Sequence, residues 1–126
     1  MGIDRRREFG NQAETIASAY LASKGYKILE RNYRKPWGEI DIIARHNDVM
    51  VFVEVKANAK DFGSGFSPEI RVDQNKMNKI TKTAELYLQY QIKNMNCEWR
   101  VDIISVTLDG ERAHIQHFKN VAEALS

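Results

Sequence analysis

Four ionisable residues in the segment GEIDIIARHNDVMVFVEVK (residues 38–56) are spaced as if to act together. Glu39 and Asp41 precede a polar break, Glu54 and Lys56 follow it, and all four stand among Ile, Val and Phe. Asn47-Asp48 suits a two-residue hairpin turn, because both residue types tolerate positive φ. That turn pairs His46 with Val49, and the register it sets places Asp41 directly opposite Glu54 and Glu39 directly opposite Lys56. Side chains alternate along a strand, so the four share one face, while Ile40, Ile42, Ala44, Val51, Val53 and Val55 form an apolar core face. Ile43 opposite Phe52 implies that the charged face is itself partly covered. Facing carboxylates repel, and a divalent cation would offset that repulsion. Mg²⁺ takes carboxylate oxygens and keeps waters available for chemistry. The plain alternative is a solvated hairpin in which Glu39 and Lys56 make an ordinary cross-strand ion pair. A slip of one residue would separate Asp41 from Glu54.

The flanking elements must position this hairpin. Asn11 to Lys24 has helical spacing of Ala13, Ile16, Ala17, Tyr20 and Leu21, with Asn11 as its cap and Gly25 at its end. Tyr26 to Arg34 reads as a strand closed by Pro36 and Trp37. After the hairpin, residues 58–72 form a Gly-rich loop expected to be mobile. Asp73 caps a helix running to about Gln91, with Met77, Ile80, Ala84, Leu88 and either Tyr87 or Gln91 facing inward. Residues 98–108 read as a central strand, apolar on both faces. Asp109-Gly110 turns into a last strand over 111–118, and Asn120 to Leu125 suits a short helix. The order is α-β-β-β-α-β-β, an α/β fold whose mixed sheet is flanked by helices. The helix between the third and fourth strands permits that pair to be parallel.

With 126 residues, the chain reads as one domain spanning 1–126. Apolar content of 43% and charged content of 29% fit a globular protein rather than a disordered one. No apolar run suits a membrane span, the first residues lack the apolar stretch of a secretory signal, and the single cysteine, Cys97, suits a reducing cytoplasm. Basic residues cluster at Arg5–Arg7, Lys24, Lys27, Arg31, Arg34 and Lys35, and again at Arg71, Lys76, Lys79 and Lys82. Arg34, Arg71, Lys76 and Lys79 are the candidates for contacting phosphate backbones; the competing account is ordinary surface charge. His46, His114 and His117 read as surface residues, since His114 and His117 would lie on opposite faces of one strand.

An acidic residue, a hairpin and then E-x-K (here Asp41, then Glu54-Val55-Lys56) resembles the active site of PD-(D/E)XK nucleases, which have the restriction-endonuclease-like fold. More specifically, the chain from about Gly10 to about Phe118 looks like the YraN-like family of small bacterial proteins. The matching stretches are GNQAETIASAYLASKGYKILERNYR, GEIDIIA, VFVEVK, Lys76 on the second helix, and WRVDIISV. The resemblance implies that Asp41 and Glu54, with the Val55 carbonyl, hold Mg²⁺ or Mn²⁺. Lys56 would orient or help deprotonate the attacking water, and Lys76 would contact phosphate. Glu14 fits the acidic residue that such nucleases place on the first helix, although with Asn11 it also makes a near capping box. Arg100 and Asp102 match the family pattern and suit an internal ion pair equally. One departure is Asn58, where the family usually carries Arg. The implied activity is metal-dependent endonucleolytic hydrolysis of DNA phosphodiesters, on branched or structured DNA, by a homodimer. Fold does not settle function. A non-catalytic nucleic-acid-binding module on the same fold is the alternative. A double-stranded RNA-binding domain would leave Asp41, Glu54 and Lys56 without a role, and a purely structural protein would be indifferent to Asp41→Asn or Glu54→Gln.

Overall fold

Two helices lie on opposite faces of a five-stranded sheet in the computed structural model, which describes residues 5–59, 73–94 and 96–122. Helix α1 spans Arg5–Ser23 and is followed by β1 (Lys27–Lys35), β2 (Gly38–His46) and β3 (Val49–Ala59). Helix α2 (Gln74–Tyr87), β4 (Glu98–Asp109) and β5 (Arg112–Phe118) complete the order α-β-β-β-α-β-β. The strands lie in sequence order, antiparallel except for β3 and β4, which run parallel from Val49↔Glu98 to Ala59↔Leu108. A parallel pair requires a crossover, and α2 is that crossover.

Both faces of the sheet are core. Ile42, Ala44, Val51, Val53, Ile104 and Val106 pack under α1 through Ala13, Ala17 and Leu21. Ile43, Met50, Phe52 and Val101 pack under α2 through Met77, Ile80, Ala84, Tyr87 and Leu88. The face carrying Ile43 and Phe52 is thus fully covered in its middle, and only its end is charged. Ile40, expected beside Ile42, lies with Ile43 and Phe52 instead. The strict alternation that predicted otherwise fails at Asp41, where β2 leaves β3.

The ends of the elements follow local chemistry. Gly25, at φ +91°, stops α1, with Gly25 N–H donating to the Ala22 carbonyl at 3.1 Å and Tyr26 N–H to that of Leu21 at 3.0 Å. Asn11 is no cap, because α1 already runs from Arg5. Asp73 does cap α2, accepting the Lys76 N–H at 2.7 Å. Past Tyr87 that helix widens into a π-helical turn, Leu88–Ile92, and Lys93 closes it in the left-handed region. Tyr87 is the inward residue; Gln91 is exposed. Asn58 and Ala59 belong to β3 rather than to a loop. The remainder of the expected loop, Arg71 included, lies outside the described residues, as do residues 123–125 of the expected terminal helix.

His114 lies at the surface as expected, but His117 does not: its side chain is only 7% exposed, with Nε2 2.7 Å from Asp102 Oδ2 and Nδ1 3.2 Å from the Tyr20 hydroxyl. Arg100 Nε donates to Asp102 at 2.9 Å and its Nη2 to the Tyr26 hydroxyl at 2.8 Å, so this network ties α1, the link from α1 to β1, β4 and β5 together. Burial works against the Asp102 charge, but its bonds from His117, Arg100 and the Asn120 N–H hold its carboxyl below the usual range.

The β1–β2 turn is seated directly on α2. A Cβ built at Gly38 would overlap the hydroxyl of buried Thr83, which donates to the Lys79 carbonyl at 2.8 Å. Gly38→Ala should therefore lower unfolding stability by about 1–3 kcal/mol through overpacking. The double variant Gly38→Ala/Thr83→Ala should be less destabilised than the sum of its singles in urea unfolding; strict additivity would mean that the two positions do not touch.

Candidate functional site

The hairpin register holds from His46↔Val49 to Ile42↔Val53, as the Asn47-Asp48 turn requires, and there the ladder stops. Continued by its own alternation, it would next bond Ile40 to Val55. Instead, Asp41 inserts its side chain, and Oδ2 accepts the Val55 N–H at 2.8 Å. The carboxylate takes the place of a backbone carbonyl, and β2 and β3 separate around it.

Three carboxyl groups from three elements meet at this opening. Glu14, on the buried side of α1, lines a cleft of about 250 Å³ together with Asp41 and Glu54. Asn32, in the left-handed region on β1, holds Glu14 from beneath. With its amide nitrogen turned to the carboxylate it donates to Oε1 at 2.9 Å and Oε2 at 2.8 Å. This overturns the capping-box reading of Glu14, which sits in the helix interior and faces the sheet. Asn32 was missed by the sequence reading. Its signal is an Asn inside a strand, a residue type that strands disfavour and that tolerates positive φ.

The charges crowd one another. Burial pushes the Asp41 carboxyl up to about 6, and neighbouring Glu14 adds to the rise, against the opposing pull of the Val55 N–H and of Lys76. Burial and then Asp41 raise Glu54, opposed by Lys76 and Lys56. The Glu54 side chain is 11% exposed, and its Oε1 lies 2.9 Å from Lys76 Nζ. Burial alone would lower Lys76, but the ion pair with Glu54 prevails and holds it above its ordinary value. Lys56 goes the other way: burial and the adjoining Lys76 ammonium lower it. A lysine eased toward its neutral form can exchange a proton near working pH more readily than an ordinary one.

The remaining predicted residues divide. Glu39 does not pair with Lys56; it forms an ion pair with Arg34 on β1, because its neighbour in the sheet is Arg34. Arg34, Lys76 and Lys79 line a wider groove beside the cleft, between the β1–β2 turn and the start of α2. Asn58 Nδ2 donates to Ser105 Oγ at 3.0 Å, so it is engaged within the sheet. Arg100, Asp102 and His117 line neither cavity.

The donor chemistry suits a hard divalent cation: oxygen ligands only, negative charge in excess, and a two-strand opening that leads to them. It is not a finished cage, since among the described residues no three of His, Cys, Asp and Glu already stand in metal-holding arrangement. Lys76 supplies positive charge to Glu54 in the present arrangement.

The raised Asp41 pKa fixes the sign of a pH effect. Between pH 3.8 and about 6 the folded state holds a proton that the unfolded chain has released. Stability from this group is present below pH 3.8 and lost as pH rises through about 6. Asp41→Asn, which keeps an oxygen for the Val55 N–H, should stabilise the fold at pH 8 by about 1–3 kcal/mol. The gain should vanish below pH 4 in urea unfolding followed across pH; a variant destabilised at every pH would contradict the reading of Asp41.

Residues 13–106, a stretch that holds Glu14, Asp41, Glu54, Lys56 and Lys76, match the profile of a family described as "Uncharacterised protein family UPF0102". A UPF0102 protein of Fervidobacterium nodosum is 44% identical over 110 residues, covering 86% of this chain and 77% of its own. One from Campylobacter fetus subsp. fetus is 40% identical over 114 residues (90% and 93%), and one from Thermotoga petrophila 44% over 112 (87% and 93%). On the strength of both comparisons, the chain belongs to the UPF0102 family.

Proposed function

We propose that the cleft is the catalytic centre of a divalent-metal-dependent endonuclease of the restriction-endonuclease-like class, acting on phosphodiester bonds in DNA. The observation that carries this reading is the meeting of Glu14, Asp41 and Glu54, from α1, β2 and β3, at a break in the sheet that also carries Lys56. Packing gives no reason to gather buried carboxylates whose charges oppose one another. Perturbed groups sharing a cleft are what catalysis uses.

Asp41 and Glu54, with the Val55 carbonyl and with Glu14 behind them, would hold Mg²⁺ or Mn²⁺. Such an ion supplies charge stabilisation at the phosphoryl oxygens and an acidified water. The chain's own groups do the rest. The Val55 N–H and Asn32 fix Asp41 and Glu14 in place. Lys56, lowered toward neutrality, orients the attacking water and moves its proton. Arg34, Lys76 and Lys79 steer the polyanion to the rim. Two copies of the chain would offer one cleft to each strand of a branched DNA.

One observation favours a second reading, a non-catalytic nucleic-acid-binding module. The Lys76 ammonium already balances Glu54, so part of the negative charge is met without an ion. Calorimetric titration with Mn²⁺ separates the two. The nuclease reading expects binding by the wild type, weakened at least tenfold, a loss of about 1.4 kcal/mol, in Asp41→Asn and in Glu54→Gln. Lys56→Met should retain the ion yet lower cleavage of a branched DNA by about 10²-fold or more. Absence of Mn²⁺ binding in the wild type, with DNA present and absent, would leave the binding module as the better account.

A further inference from the structure

Trp37 is 45% exposed at the tip of the β1–β2 turn, and among the described residues its ring stacks on no other. The second tryptophan, Trp99, packs edge-on against Phe52. An exposed indole contributes nothing to either core, yet its position is tightly held. Pro36 precedes it, and Gly38 behind it is seated against Thr83 of α2. The turn is a fixed platform.

The surroundings point to what the platform meets. Trp37 lines a groove of about 710 Å³ with Arg34, Lys35, Lys76 and Lys79. Within the groove Glu39 is paired with Arg34, Asp73 accepts the Lys76 N–H and the Lys76 ammonium meets Glu54, which leaves Lys35 and Lys79 to attract a polyanion. Arg34 lines both this groove and the carboxylate cleft, and Lys76 spans from the groove to Glu54. A polyanion lying along the lysines would therefore pass directly from the indole to the cleft. Apolar ligands would find the charge unfavourable, and a simple anion would have no use for the ring. A nucleic-acid strand uses both, since its phosphates match the lysines and its bases stack on aromatic rings.

We infer that Trp37 stacks on an unpaired base of DNA, so that the substrate class of the site is DNA with a single-stranded segment next to the phosphate at the cleft. This rests on the nuclease reading for the fate of that phosphate, but not for binding in the groove. Bases inside a duplex already stack on their neighbours, so the indole has access only to an unpaired base. Trp37 acts in binding and positioning rather than in the chemistry.

The test omits metal so that cleavage cannot occur. A fluorescein-labelled single-stranded oligodeoxynucleotide and a blunt duplex of the same sequence are titrated with the full chain, reading anisotropy and intrinsic tryptophan emission. The wild type should bind the single strand more tightly than the duplex and lose tryptophan emission as it does so. Trp37→Ala should abolish the quenching and weaken single-strand binding by about tenfold or more, with duplex binding unchanged. Trp37→Phe, which keeps a π-face, should recover most of the affinity. Equal single-strand affinity in Trp37→Ala and wild type, or tighter binding to the blunt duplex, would overturn the inference. Because Trp37 is exposed, each variant should keep the wild-type unfolding midpoint. The two proposals fail separately. Mn²⁺ binding together with cleavage of a partly single-stranded DNA by Trp37→Ala at the wild-type rate would sink this inference alone. Trp37-dependent strand binding without any Mn²⁺ binding would sink the nuclease reading alone.

Discussion

A single hydrogen bond, from the Val55 N–H to Asp41 Oδ2, decides where the β2–β3 ladder ends and where the site begins. A backbone N–H within a packed sheet must be satisfied. Had Ile40 supplied the acceptor, β2 and β3 would have stayed zipped and Asp41 would have projected from one face as an ordinary strand residue. Because the side chain supplies it, the strands part, Ile40 turns to the α2 side, and the Asp41 carboxylate is fixed in the gap. The other site residues come to that gap: Glu14 down from α1, Glu54 and Lys56 along β3, Lys76 across from α2.

What gathers there is charge that the fold does not want for itself. The Val55 bond lowers Asp41, but burial and Glu14 outweigh it, while burial and Asp41 raise Glu54 against Lys76 and Lys56. Lys76 relieves part of the crowding, and its own charge in turn depresses Lys56. The two cores on either side of the sheet, one under each helix, provide the rigidity that keeps these groups from relaxing apart. Stability given up locally for chemistry is a common arrangement in active sites. The contrast within this chain is instructive: Asp102 is also buried, yet His117, Arg100 and the Asn120 N–H satisfy it so well that it stays ionised. That network stitches elements together. The cleft is left unsettled.

Much of this was legible in the residues. The Asn47-Asp48 turn set the hairpin register, and every pair that the ladder makes agrees with it. The order of elements and the Asp73 cap followed from periodicity and capping chemistry, and the intervening helix permitted the parallel β3–β4 pair. What escaped were departures from regularity. Alternation by two assumes an unbroken ladder, so it misplaced Ile40 and joined Glu39 to Lys56. The pairing that β1 makes on the other edge of β2, which draws Glu39 to Arg34, is a long-range fact. Asn11 looked like a cap because nothing in the apolar spacing signals that α1 already runs from Arg5. The Glu54–Lys76 pair depends on how a crossover helix docks, which has no local signature, and Asn32 left only the faint signal of an Asn within a strand. His117 seemed a surface residue because its partner Asp102 lies on the neighbouring strand.

The central claim is that buried carboxylates at the sheet break are kept in mutual opposition to receive a divalent cation. Side-chain carboxyl ¹³C shifts of Asp41 and Glu54, followed across pH without and then with Mg²⁺, test it most directly. The account predicts an Asp41 midpoint near 6 without the ion, an elevated Glu54 midpoint beside it, and a downward move of both when Mg²⁺ is added. Ordinary carboxylate midpoints for both groups, unmoved by Mg²⁺, would contradict it.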